Sequence, residues 1–174
     1  MNNENKFNLH EVKSSKDIKE FLDFPAMLYK DDPNWIRPLD QDVEAVFSPA
    51  KNKLFRNGAA IRWLLKTKQG KTIGRMAAFY NQATARVNQQ PTGGIGFFDC
   101  INDHTAAFML FDAGKNWLAD KGMEAMDGPI SFGERDSFWG CLVDGFHEPV
   151  YNMPYNFGYY KDFFEEYGFQ NYFN

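Results

Sequence analysis

Cysteine is scarce in this 174-residue chain: Cys100 and Cys141 are the only two. They form no C-x-x-C pair and no Cys/His metal spacing, so neither a disulfide framework nor a metal centre is expected. A reducing cytoplasm suits such a chain. Positive charge is also in short supply, with 19 Lys plus Arg against 23 Asp plus Glu and a net charge of -4. A nucleic-acid binder needs a basic face to neutralise phosphates, and none is expected here. No run approaches the roughly 18 apolar residues of a membrane span. The polar, Asn-rich stretch Met1 to Lys6 lacks the apolar centre of a signal peptide. Repeats and low-complexity segments are missing as well. What is plentiful is aromatic: 18 Phe, 8 Tyr and 4 Trp make up 17% of the chain. Half of them fall after Ser131. With 44% hydrophobic residues, the chain can bury a core, which excludes general disorder. Its length suits one domain.

The order of elements follows from periodicity. Phe7 to Lys13 alternates weakly and reads as a strand. Ser14 or Ser15 caps a helix carrying Ile18, Phe21 and Leu22, which Pro25 should interrupt because proline removes a backbone donor. Asp31 to Trp35 is a turn, and Asp40 to Phe47 a short helix. Ala60 to Thr67 and Thr72 to Asn81, with Gln69-Gly70 between them, read as a hairpin. Ile95 to Ile101 is a third strand. Asp103 caps the strongest helix, which Lys121-Gly122 closes. Met123 to Ile130 is a short strand. Residues 131–155 show no regular pattern, and a loop that long inside a domain is commonly functional. Asn156 should cap a last helix, with Tyr160, Phe163, Phe164 and Tyr167 on one face and Gly168 at its end. The whole is one domain, 1–174, of α/β or α+β type with a mixed sheet over 7–130, a long loop over 131–155, and a last helix with the start of a strand over 156–174.

The tail from Asn156 to Gly168-Phe169, an Asn followed by an aromatic helix, is similar to the last helix motif of the GNAT fold, the acyl-CoA N-acyltransferase superfamily. Further strings resemble the YghO-like bacterial family of GNAT-like acyltransferases: Asp32-Pro-Asn-Trp-Ile-Arg-Pro-Leu39, Gly74-Arg-Met-Ala-Ala78, Gly128-Pro129, Gly133-Glu-Arg-Asp136 and Leu142-Val-Asp-Gly-Phe146. The resemblance implies a coenzyme A thioester as co-substrate, no metal, and an amine acceptor, with a long-chain or lipid amine suggested by the aromatic tail. Three departures stand out. The superfamily's Gly-rich pyrophosphate loop is replaced by Cys100-Ile-Asn-Asp-His-Thr105, where Asp103 would repel phosphate. Phe164 stands where many members carry a proton-donating tyrosine. Five residues follow Phe169, too few for the further strands of the fold. The sheet is therefore expected to be completed by a C-terminal half or by a second copy in a homodimer. A non-catalytic GNAT-like binding or assembly domain is the alternative.

Several residues are candidates for chemistry. Glu134 or Asp136 would accept the amine proton, and Arg135 would hold an anionic group. The alternative for all three is a solvated charge cluster or a turn. Phe138, Trp139 and His147 in the same loop are candidate substrate contacts, with a plain surface role open for His147. Backbone N–H groups at Cys100 and Ile101 would hold the thioester oxygen. His104 and Thr105 lie where phosphate would approach a helix start. The resemblance places Asn156 against the pantetheine arm as well as at the helix cap. Tyr160 faces the core by its spacing and would line the cofactor site. Tyr159 points elsewhere and is the freer hydroxyl donor. Cys141 is either a nucleophile or a small buried apolar residue.

Overall fold

The sheet has five strands in the order β1-β2-β3-β4-β5. These are β1 (Phe7–Glu11), β2 (Gly58–Thr67), β3 (Thr72–Asn81), β4 (Thr92–Cys100) and β5 (Ala125–Asp127). The first four pair antiparallel and β5 runs parallel to β4. The computed structural model describes residues 6–87, 90–133, 140–150 and 153–171. The helices are α1 (Ser15–Leu28), α2 (Asp40–Val46), α3 (Gln82–Ala85), α4 (His104–Asp120) and α5 (Tyr160–Tyr167). This is the mixed α/β architecture expected from the sequence.

Alternation along the strands puts the helices on opposite faces. Met76 of β3 and Ile95 of β4 pack beneath Gly114 of α4. Arg75, one residue earlier in β3, points the other way and donates to the Phe21 carbonyl of α1. The rings of Phe98, Phe111, Tyr160, Phe163 and Phe164 then join β4, α4 and α5 into one core.

Local signals set most helix ends. Ser14 Oγ accepts from Asp17 N at 3.1 Å while Asp17 Oδ2 accepts from Ser14 N at 2.8 Å, a reciprocal cap for α1. Asp103 Oδ1 accepts from Ala106 N at 3.0 Å and starts α4. Gly168 ends α5 at φ 110, a left-handed conformation that suits glycine. Phe169 N then returns to Phe164 O at 3.0 Å.

Three expectations need correction. Pro25 does not interrupt α1, which runs unbroken to Leu28. Proline withholds a donor from the carbonyl four residues back, here Phe21, and Arg75 Nη1 supplies that bond at 2.6 Å. Asn156 does not cap α5, whose first residue is Tyr160. Its Oδ1 accepts from Leu142 N at 2.7 Å and its Nδ2 donates to Leu142 O at 3.0 Å, so it clamps the long loop. The strand expected over Met123–Ile130 shrinks to Ala125–Asp127. Among the described residues no helix is long and apolar enough to cross a membrane.

Candidate active site at the edge of β4

Strands β4 and β5 start together and then part. Thr92, Gly93 and Gly94 face Ala125, Met126 and Asp127, and Ile130 N donates to Ile95 O at 2.9 Å. At the next residue the Ile130 carbonyl sits so close that a Cβ on Gly96 would lie 1.9 Å from it. Only glycine admits that approach. Phe97 follows at φ 51, and the β3–β4 register shifts between Arg75 and Ala77. Such a bulge bends the strand and re-aims its edge.

Beyond the bulge, among the described residues, side chains take the place of a neighbouring strand. Cys100 N–H donates to Tyr160 Oη at 2.9 Å, and Cys100 C=O accepts from Tyr159 Oη at 2.8 Å. Ile101 N–H donates to Ile73 O at 3.0 Å. Both N–H groups expected to receive a thioester oxygen are therefore engaged within the chain. Tyr159 is likewise not the free donor expected of it. Its position one residue before α5 turns it to the strand edge beside Tyr160, and burial keeps its phenol above the ordinary range, so it stays protonated.

Behind this edge lies a buried polar cluster that periodicity did not reveal. Arg75 Nε donates to Asp99 Oδ2 at 2.8 Å. Tyr29 Oη donates to Asp99 Oδ1 at 3.1 Å and lies 3.3 Å from Tyr160 Oη. Arg75 and Asp99 are 6% and 7% exposed, so the pair is desolvated. Burial pushes the Asp99 carboxyl up, and Arg75 and the two phenols pull it back. Burial raises Tyr29 and Tyr160 too, so both remain neutral donors. A charged residue inside an apolar strand, as in Gly74-Arg75-Met76 and Phe98-Asp99-Cys100, is the sequence signal that could have found the pair.

Aromatic rings stack beside the cluster, with Tyr29 common to both. Trp35, Tyr29, Phe157 and Tyr159 stack in sequence, with centroids 5.2, 4.4 and 5.2 Å apart and planes within 16°. An open groove of about 550 Å³ adjoins the stack, between Asp31, Asp32 and Asn34 on one side and Phe146, Tyr155 and Phe157 on the other. Tyr155 Oη donates to Asp32 at 2.8 Å, and Asn34 Nδ2 donates to Phe146 O at 3.0 Å, which ties the long loop to the turn after α1. The Tyr155 phenol is pushed up to about 12 by partial burial and by Asp32.

The other candidates are dispersed. His104 Nε2 meets Glu166 Oε2 of α5 at 2.8 Å, with its ring edge-on to Phe163. Thr105 is exposed in the first turn of α4. Asp103, the cap of that helix, pairs with Lys6 at 3.1 Å. A carboxylate therefore already occupies the helix start where phosphate would bind. His147 lies in an exposed stretch of the long loop. Cys141 is half-buried, and burial pushes its thiol up to about 12, so it is no thiolate near neutrality. Phe164 is core, between Phe98, Phe111 and Phe169. Glu134, Arg135, Asp136, Phe138 and Trp139 lie outside the described residues. Among the described residues no group of three or more His, Cys, Asp or Glu could hold a metal ion.

No family model matches the chain. It is 32% identical to protein YghO of Escherichia coli K12 over 157 residues, which is 90% of this chain and 40% of that protein. It is 34% identical to the bacterial ceramide synthase of Caulobacter vibrioides over 157 residues, 82% of this chain and 39% of that one. The chain thus spans about two fifths of the length of the curated relatives it matches. Among solved structures, a predicted acetyltransferase with acetyl-CoA from Clostridium acetobutylicum superposes with a TM-score of 0.57 at 16% identity. That match covers 95% of this chain and 90% of the other.

Proposed function

We propose, from the premise that this is a GNAT-fold domain of the YghO-like family, that it transfers an acyl group from a coenzyme A thioester to an amine. In that reaction the amine nitrogen attacks the thioester carbonyl, the C–S bond breaks, coenzyme A leaves as the thiol, and the nitrogen gives up a proton as the amide forms. The observation that carries the reading is the end of the β4–β5 ladder at Gly94, beyond which the Ile130 backbone closes on Ile95 and Gly96. Further along, among the described residues, the Cys100 backbone at the end of β4 is met by the hydroxyls of Tyr159 and Tyr160 in place of a strand. An extended amide-bearing chain can pair with such a strand edge.

The solved structure of similar fold carries acetyl-CoA, which supports a coenzyme A co-substrate here. The name of the Caulobacter relative supports a long-chain or lipid amine. The groove beside Asp31 and Asp32 suits that acceptor, because carboxylates attract an ammonium while Phe146, Tyr155 and Phe157 receive its apolar part. Glu134, with Asp136 beside it, is assigned the amine proton, and Arg135, Phe138, Trp139 and His147 the substrate contacts. A cytoplasmic location is part of the reading, supported by two free cysteines. The outer edge of β5 is where further chain or a second copy would add strands, and sedimentation equilibrium distinguishes a dimer from a monomer.

A second reading is favoured by the occupied Cys100 backbone and by the Asp103 cap at the start of α4. In it the domain keeps the fold without catalysis and serves in binding or assembly. Calorimetric titration with acetyl-CoA and palmitoyl-CoA separates the two. Heat with either thioester supports acyl transfer, and its absence with both refutes it. Under the first reading Glu134→Gln cuts turnover at nearly unchanged thioester affinity, and unchanged turnover removes Glu134 from the mechanism.

A further inference from the structure

The two hydroxyls on Cys100 are not equivalent. Tyr160 is 2% exposed and packs on Phe98 at a centroid distance of 5.0 Å. Its hydroxyl also faces Tyr29 and Asp99, at 3.3 and 3.4 Å. It is part of the core. Tyr159 is only half-buried, lies just before α5, and ends the ring stack that begins at Trp35. Its hydroxyl donates to Cys100 C=O, the kind of bond that the N–H of a neighbouring strand or of an extended ligand would make. A strand edge with exposed polar groups invites pairing by another chain, and proteins cover such edges. Here two phenols cover Cys100, which is itself fully buried, and Tyr159 is the half-buried one of the two.

We propose that Tyr159 is a displaceable cover on the β4 edge, which an extended amide-bearing chain must swing aside to pair with Cys100 while Tyr160 stays in place. The identity of that chain rests on the acyl-transfer reading, in which it is the amide arm of the coenzyme A thioester. The cover makes binding of the thioester a two-step event and keeps the Cys100 carbonyl satisfied when no ligand is bound.

The test labels the eight tyrosines with 3-fluorotyrosine and follows them by fluorine NMR. Tyr159→Phe identifies the Tyr159 signal by its loss. The probes are acetyl-CoA and pantetheine, the latter carrying the amide arm without the nucleotide. The expected result is that a probe moves the Tyr159 signal toward the solvent-exposed position and leaves Tyr160 in place. Tyr159→Phe should then bind the same probe about two- to tenfold more tightly, because one net hydrogen bond no longer has to break. Phe157→Leu, which loosens the stack and keeps the hydroxyl, should shift affinity in the same direction. If acetyl-CoA binds with Tyr159 unmoved and with equal affinity for Tyr159→Phe, the cover is refuted and acyl transfer stands. If neither acetyl-CoA nor palmitoyl-CoA binds the wild type or Tyr159→Phe but pantetheine moves Tyr159, the cover stands and acyl transfer is refuted. If neither probe moves Tyr159, the cover is refuted.

Discussion

Replacing Arg75 with Met tests the buried cluster most directly. The Arg75 and Asp99 side chains are 8% and 11% exposed and 2.8 Å apart. The substitution keeps much of the apolar stem and removes three things: the charge that offsets Asp99, the Nε bond to its carboxylate, and the Nη1 bond to Phe21 O. Breaking one partner from a buried ion pair costs about 3–5 kcal/mol, a large part of a typical stability of about 5–15 kcal/mol. With a urea slope of about 2 kcal/mol per molar, the denaturation midpoint should fall by about 2 M. The loss should also depend on pH. Burial raises the Asp99 carboxyl in the folded chain, so the folded state favours the protonated form. The resulting penalty is absent below the ordinary aspartate value of about 4 and grows as pH rises through the raised value. Without Arg75 that value rises further, so the variant should be nearest to wild type at acid pH and furthest from it at neutrality. Pro25→Ala adds a second check. It restores the N–H that α1 would direct at Phe21 O, which matters most once Arg75 no longer serves that carbonyl. A double-mutant cycle should show Pro25→Ala to be more favourable by about 1–3 kcal/mol in the Arg75→Met background than in the wild type. A loss under about 1 kcal/mol at neutral pH, or one that grows toward acid pH, would refute the account of the cluster.

Other perturbations probe separate parts of the fold. Gly96→Ala puts a Cβ 1.9 Å from the Ile130 carbonyl, a backbone clash that should cost about 1–3 kcal/mol or more and lower the melting temperature by roughly 5–10 °C. An unchanged melting curve would deny the close approach of the Ile130 backbone to β4. Ser14→Ala should cost about 1 kcal/mol in urea unfolding, the usual worth of a helix cap. The Ser14 backbone and side chain hold the Asp17 carboxyl well below its ordinary range. That contribution is present above about pH 4 and is lost as pH falls through the lowered value, so Ser14→Ala should flatten the acid limb of the stability curve. Phe164→Tyr restores the residue that the fold resemblance implies for proton donation, but it places a hydroxyl among Phe98, Phe111 and Phe169. It should cost about 1–3 kcal/mol and raise no acyl-transfer rate, and a gain in turnover would show that this ring faces the substrate.

What the sequence determined by itself is the part governed by neighbours in the chain. The β2–β3 hairpin, the Ser14 and Asp103 caps and the Gly168 stop each rest on groups within a few residues of one another. Alternation, helical spacing and turn chemistry report such contacts directly. The resemblance in the tail and in short motifs carried the reading to the fold family. Where local rules failed, the partner was remote. Pro25 stays helical because Arg75, 54 positions from Phe21, fills the vacated bond. Asn156 leaves the helix cap for Leu142, 14 positions away. Tyr159 and Tyr160 reach back to Cys100 across 59 and 60 positions. Side-chain hydroxyls, amides and guanidinium groups pair with whatever polar backbone the packing leaves unmet, because a buried group without a partner costs more than the bond returns. Which groups are left unmet is known only once the sheet and helices are assembled. The parting of β4 and β5 and its phenol cover therefore belong to the tertiary structure, while the aromatic residues that build the cover were already conspicuous in the chain.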